Sequence, residues 1–356
     1  MNILCRVDAN ASMGIGHLMR CLALAQELVQ HDIQVAFFVN TVTAKLCQSR
    51  KDWIGELIVL PDSITKNDEL DWLQKNNDLS DFDGILLDGY QFDLNYQKSI
   101  KSLLEPESRC LIMFDDNNDS GELAADMIIN GASHAMQLNY QQTTSNAQLC
   151  LGDKFRVLRN EFTQNPLANT SFDERTDLTI MMGGSDTLDI TLAFLINLEK
   201  VLDTELSINV ITGAAYQKLE QLTDFIKTSS LKIKHLHNCQ QVAKTFSKSK
   251  LVVSAAGSSQ FEVLACGAAS ILVIVAENQA GSVIELASKG CAELFDGRQD
   301  FDVKDLVNQS LKLWNDDAKL NKMHELALQL ADVNGANRIA LKVLALVNKN
   351  TESCSL

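Results

Sequence analysis

What this chain lacks narrows its class first. No run of apolar residues approaches the ~18 needed to cross a bilayer. In the opening MNILCRVDAN, Arg6 and Asp8 break the apolar stretch before it could act as a secretory h-region. No membrane partner is therefore expected, and the chain reads as cytoplasmic. Basic clusters are missing as well: 31 Lys+Arg stand against 46 Asp+Glu, a formal net charge of −15. No window holds the surplus of Lys and Arg that a phosphate backbone requires, so nucleic acid is not an expected partner. The nine cysteines, at 5, 21, 47, 110, 150, 239, 266, 291 and 354, form no C-x-x-C spacing. Their odd number and mostly apolar surroundings point to reduced, buried thiols rather than a disulfide scaffold or a zinc site. No internal repeat at solenoid periods is present.

What the chain has is the composition of a folded protein, 46% hydrophobic and 22% charged, and at 356 residues enough length for two α/β domains with separate cores. The first half alternates strand-like runs at 2–8, 33–40, 56–60, 84–88, 110–116 and 126–130 with helical periods near 17–30, 42–50 and 93–104. That alternation predicts crossover connections and a parallel sheet. In the first helix Leu18, Cys21, Leu22, Ala25 and Leu28 form the apolar stripe, with Gln26, Glu27 and Gln30 opposite it. Residues 161–176 lie in a stretch without apolar periodicity, rich in Asn, Ser and Thr, and are expected to link the domains. A second α/β unit is expected over 177–334, with strands at 177–184, 206–213, 231–237, 250–257 and 269–275. A closing helix over 335–349, returning to the first domain, and a polar tail over 350–356 complete the expected organisation. The fold class is thus α/β, two Rossmann-like doubly wound domains facing a central cleft, with ligands at the carboxyl ends of strands.

The loops after strands carry the candidate chemistry. In SMGIGHLMR, Gly14 and Gly16 permit positive φ and close backbone approach, while His17 opens a helix and Arg20 follows one turn on. The positive end of the helix dipole favours a neutral imidazole, a competent general base. A tight turn with a polar N-terminal residue explains the same letters. A dinucleotide loop fits less well, because Met19 stands where the third glycine belongs and the second strand ends in Asn40 rather than a carboxylate. After the fourth strand, Asp88 and Tyr90 of LLDGY are placed to reach a cleft or to serve as turn and surface residues. The paired carboxylates of FDD at 114–116 lack a third ligand at a recognisable spacing, so no metal is expected. Gly183, Gly184 and Ser185 in MMGGSDT are the second unit's counterpart of the first loop. In SAAGSSQFEVLACG, Gly257, Ser258 and Ser259 lead into a helix able to hold a diphosphate, and Glu262 could accept from a ribose. Ser259-x-x-Glu262 equally spells a capping box. Asn278 and Gln279 of ENQ sit on the next strand-to-helix loop, and the loop from His237 to Gln240 is placed to meet a base.

Taken in order, RVDAN, GIGHLMRCLALAQEL, LLDGY, FDD, LRNEF, MGGSDT, SAAGSSQFEVLACG and ENQ resemble the nucleotide-sugar hydrolases of the pseudaminic-acid pathway, over roughly residues 3 to 340. These are similar in fold to the GT-B glycosyltransferase that adds N-acetylglucosamine in peptidoglycan synthesis. The resemblance implies a UDP-sugar substrate, UDP-2,4-diacetamido-2,4,6-trideoxy-β-L-altropyranose, cleaved at the anomeric C–O bond with inversion and without metal or other cofactor. It implies that His17, Tyr90 and Asn278 are catalytic and that Gly257 to Glu262 hold diphosphate and ribose. Gly14, Gly16, Arg20, Asp88, Gly183, Gly184, Ser185 and Gln279 are expected to line the substrate. Gly89, between Asp88 and Tyr90, departs from relatives that can carry histidine there.

Overall fold

The apolar runs fold as parallel strands covered on both faces, which is why they read as continuous rather than alternating. The computed structural model describes residues 1–9, 15–104, 109–165, 170–202 and 205–354, the backbone alone at 278, 282 and 350–354. Two compact units result: Met1–Asn160 with Asp332–Leu356, and Glu161–Ala331.

In the first unit, β1 (Asn2–Val7), β2 (Gln34–Asn40), β3 (Glu56–Leu60), β4 (Gly84–Asp88), β5 (Cys110–Phe114), β6 (Met127–Asn130) and β7 (Gln148–Leu151) pair in the order β3-β2-β1-β4-β5-β6-β7. The described pairings in this sheet are parallel. After β3 the chain returns past β1 to lay down β4, so the order of strands reverses between β1 and β4. The connections leaving the carboxyl ends of these two strands run to opposite faces, and the crevice between them is where open α/β sheets bind ligands. Helices α1 (Gly16–Gln30), α2 (Thr41–Gln48), α3 (Glu69–Asn76) and α4 (Leu94–Leu104) supply the crossovers. The edge strand β7 and helix α3 leave no apolar run long enough to have been read from sequence.

The face of α1 carrying Gln26 and Glu27 was expected to meet solvent, yet both are buried. The closing helix, Gly335–Cys354, packs on α1 as well, its Ile339, Ala340, Val343 and Val347 sharing one core with Leu18, Cys21, Leu24 and Ala25. Gln26 is satisfied there by donating to the Asp52 carbonyl and accepting from the Asn160 amide, both at 3.1 Å. The closing helix also runs past 349 to Cys354, because no glycine or proline follows Gly335 to stop it.

The second unit repeats the design with β8 (Asp177–Met181), β9 (Ser207–Thr212), β10 (Lys232–His237), β11 (Ser249–Ala255), β12 (Ser270–Ile274) and β13 (Ala292–Asp296), ordered β10-β9-β8-β11-β12-β13. Its reversal lies between β8 and β11. Strand β13 escaped the sequence reading because Glu293 and Asp296 break its apolar run at the sheet edge. Residues 161–176, expected as a linker, fall in this unit. Buried Arg175 anchors the segment by donating to the carbonyls of Thr170 (3.2 Å), Phe246 (3.4 Å) and Cys266 (2.8 Å). A guanidinium without exposed surface needs such acceptors, and they lie on the second unit's core. Among the described side chains, seven cysteines are buried free thiols and Cys239 is half-buried.

Candidate active site

Strands β1 and β4 pair with Val7 opposite Asp88, so the last residue of β4 lies beside the strand that feeds the first glycine-rich loop. Gly14 lies outside the described residues. Gly16 opens α1 without positive φ, and a Cβ there would meet no atom of the described residues within 4 Å. Its small size leaves open space rather than serving backbone strain. His17 and Arg20, three apart, both turn toward Asp88. The His17 ring places Nδ1 at 2.6 Å from Asp88 Oδ1. Arg20 grips the same carboxylate as a fork, Nε to Oδ2 at 2.5 Å and Nη2 to Oδ1 at 2.6 Å. The Cys21 thiol donates to Oδ2 at 3.3 Å.

Asp88 was expected to line the substrate, but it has 0% exposure and faces its protein partners instead. Burial opposes its ionisation; Arg20 and His17 on its oxygens outweigh that and hold the carboxyl down at about 2. An ionised carboxylate can only accept, so the proton of a neutral His17 sits on Nδ1 and the lone pair on Nε2. That tautomer can take a proton from a group in the pocket, while Asp88 orients the ring and stabilises the imidazolium. The helix end alone, which the sequence suggested, would do neither.

Asp115 and Asp116 turn apart. Asp115 accepts from the hydroxyl of buried Tyr140 and from the Asn118 amide at 2.8 Å. Asp116 accepts from Arg20 Nη1 at 2.6 Å and from the Tyr90 hydroxyl at 3.0 Å. Tyr90, 66% exposed, stands edge-on to His17 with ring centroids 4.9 Å apart. Burial and the neighbouring Asp116 push its hydroxyl up to about 12. Phe114 supports the assembly from below, with the Arg20 guanidinium 4.8 Å over its ring. Among the described residues no group of three or more His, Cys, Asp and Glu is arranged to hold a metal.

In the second unit, Gly183 has φ of +74° and Gly184 is open to a Cβ within 4 Å, above a loop in which Asp186 accepts from the amides of Ile190 (3.0 Å) and Thr191 (2.8 Å). Asp186 therefore caps helix Ile190–Val201, and Ser185 lies in the turn before it. Backbone approach is closest at Gly213, where a Cβ would lie 2.3 Å from the Gly184 carbonyl oxygen. After β11, Gly257 and exposed Ser258 precede helix Ser259–Ala265. The capping box is not formed: Ser259 is the first helical residue and its hydroxyl donates back to the Ala255 carbonyl at 3.1 Å. Its buried hydroxyl is therefore turned to the core, while Glu262 is half-buried in the first turn. Gln279 accepts from the Val275 amide at 3.0 Å and so braces the loop after β12; the Asn278 side chain lies outside what is described. His237 Nδ1 and His235 Nε2 both meet the Thr212 hydroxyl, at 3.1 and 2.8 Å.

Asp116 escaped the sequence reading as a partner of Tyr90 and Arg20. Arg20 of α1 and Tyr90 from the loop after β4 converge on its carboxylate, and the sequence signal for it was its place just past the carboxyl end of a buried strand.

Residues 178–339 match the glycosyltransferase family 28 C-terminal domain. The chain is 27% identical over 277 residues to an uncharacterized protein of Methanocaldococcus jannaschii, covering 75% of this chain and 54% of that one, so it spans about half the length of that relative. It is 24% identical over 297 residues to the UDP-2,4-diacetamido-2,4,6-trideoxy-β-L-altropyranose hydrolase of Campylobacter jejuni, covering 82% of this chain and 97% of the other. Its fold is similar to that of MurG from Acinetobacter baumannii, with a TM-score of 0.61 and 15% identity over 97% of this chain and 99% of that one. The chain thus has the GT-B glycosyltransferase fold, matches the family 28 C-terminal domain in its second half, and resembles a UDP-sugar hydrolase over most of its length.

Proposed function

We propose that this protein hydrolyses a UDP-sugar to UDP and the free sugar, and that the sugar is 2,4-diacetamido-2,4,6-trideoxy-β-L-altropyranose of pseudaminic-acid biosynthesis. The observation that carries the reading is the Asp88–His17 hydrogen bond, which leaves Nε2 as a base. The resemblance to the Campylobacter hydrolase supports the substrate.

In the proposed reaction a water oxygen bonds to the anomeric carbon as the bond from that carbon to the UDP oxygen breaks. One water proton passes to His17 Nε2, and attack opposite the leaving group inverts the centre. Asp88 holds the ring and balances the imidazolium. UDP leaves as a diphosphate anion and needs no strong general acid. The backbone at Gly257 and Ser258, with the loop Gly183–Ser185, is proposed to take its charge through amide donors. Glu262 is proposed to accept from the ribose hydroxyls, Tyr90 and Asn278 to contact the reacting centre, and no metal to take part.

A second reading, transfer of the sugar to an acceptor, is favoured by the match to the family 28 domain and the likeness to MurG. Incubating the pure protein with the UDP-sugar, without acceptor and with chelator, separates them. UDP release with an inverted free sugar, lost in His17→Asn, supports hydrolysis. Turnover only with an added acceptor supports transfer, and saturable binding without turnover overturns both.

A further inference from the structure

We propose that Asp116 is a positioning residue that makes Tyr90 a hydrogen-bond acceptor toward the pocket. The inference rests on the hydrolase reading and extends it. The two oxygens of Asp116 are divided between two donors: Oδ1 accepts from Arg20 Nη1 at 2.6 Å and Oδ2 from the Tyr90 hydroxyl at 3.0 Å. A phenol has one proton. With that proton directed to Asp116, Tyr90 offers the pocket only lone pairs.

The same logic governs its neighbour. His17, with its proton on Nδ1, donates that N–H to the ionised Asp88 and keeps a lone pair on Nε2. Two rings 4.9 Å apart, edge to face, thus each point their proton at an aspartate behind them. Arg20 ties the two aspartates together, forked onto Asp88 and singly bonded to Asp116, so the acceptor state of both rings is set by one ionic assembly. Two acceptors side by side suit a ligand group that carries two protons and must present its own lone pair elsewhere. In hydrolysis that group is the attacking water: one proton goes to His17 Nε2, the other is held by Tyr90 Oη, and the free lone pair meets the anomeric carbon. Tyr90 is exposed enough that its ring would otherwise be free to swing, so the bond to Asp116 also fixes where Oη stands.

Asp116→Asn tests this because it keeps shape and reverses polarity. Arg20 offers only protons, so the new carboxamide turns its oxygen to Arg20 and its NH2 to Tyr90. The phenol must then accept from Asn and send its own proton into the pocket. D116N is expected to lower kcat about tenfold or more, at least as far as Tyr90→Phe, with KM little changed. In the double variant the losses should not multiply. A wild-type kcat in D116N, or losses that multiply with Y90F, would overturn the proposal. A second readout needs no turnover: ultraviolet titration of the phenol, taken as the difference from Y90F. The charged groups around that phenol are Asp116, Asp88 and Arg20, with the His17 ring beside it. Removing the Asp116 charge should move its ionisation to lower pH, and an unmoved midpoint contradicts the clamp. If the wild type releases no UDP, the hydrolase reading fails by itself and this titration decides whether Asp116 governs Tyr90.

Discussion

His17 and Asp88 lie 71 positions apart in sequence, yet Nδ1 of one stands 2.6 Å from Oδ1 of the other. The sheet brings them together: β1 and β4 pair side by side at the point where strand order reverses, so the helix after one strand starts beside the last residue of the other. Because Asp88 has no exposed surface, its contribution is to the histidine's tautomer and orientation rather than to any ligand.

Asp88→Asn is therefore expected to act on kcat. Arg20 reaches both oxygens, so a carboxamide breaks one arm of the fork; with its NH2 facing Nδ1 the ring proton moves to Nε2, where a base needs a lone pair, and in either orientation the charge that stabilises the imidazolium is lost. A loss of about 10²–10⁴ in kcat with KM changed only a few-fold is expected from steady-state UDP release. A rise in KM at constant kcat would instead place Asp88 in substrate binding.

The same carboxylate ties stability to pH. Its folded value of about 2 lies below the ordinary carboxylate value, so its contribution is complete above about pH 4 and is lost as pH falls from about 4 through about 2. On the order of 2 kcal/mol should disappear across that window. Urea midpoints measured down to acid pH check it: wild type should lose stability more steeply than D88N, and parallel curves would contradict the assignment.

Two glycines are predicted to behave oppositely. Gly213→Ala would set a Cβ 2.3 Å from the Gly184 oxygen, backbone that cannot swing aside, and should cost about 1–3 kcal/mol in thermal or urea unfolding. Gly16→Ala sets a Cβ that meets no atom of the described residues within 4 Å, in the first turn of α1, and should leave stability unchanged or raise it by up to about 1 kcal/mol. Lost turnover in a stable G16A would show that the open space is used by the ligand. Equal destabilisation of both variants would contradict the packing described.

Much of this architecture is legible in the chain because parallel strands buried on both faces leave continuous apolar runs, as GILLD and CLIMF do. What stayed hidden depended on packing. Glu293 and Asp296 mask an edge strand, and Gln26 and Glu27 look solvent-facing although both are buried, Gln26 between the Asp52 carbonyl and the Asn160 amide. Within the site, His17, Arg20, Asp88 and Tyr90 could be singled out by their place after strands, and the structure brings these four together. Their division of labour could not be read, since only geometry shows that Asp88 faces inward and that Asp116 joins Arg20 to Tyr90. Ser259 illustrates the converse: its spacing to Glu262 spells a cap, but its hydroxyl turns back to Ala255.

The most direct measurement follows the pure protein and the diacetamido UDP-sugar by NMR with no acceptor present. Release of UDP with a free sugar of inverted anomeric configuration, abolished in His17→Asn, is the predicted result. UDP release that needs an acceptor, or that survives the loss of His17, would contradict hydrolysis by a histidine base.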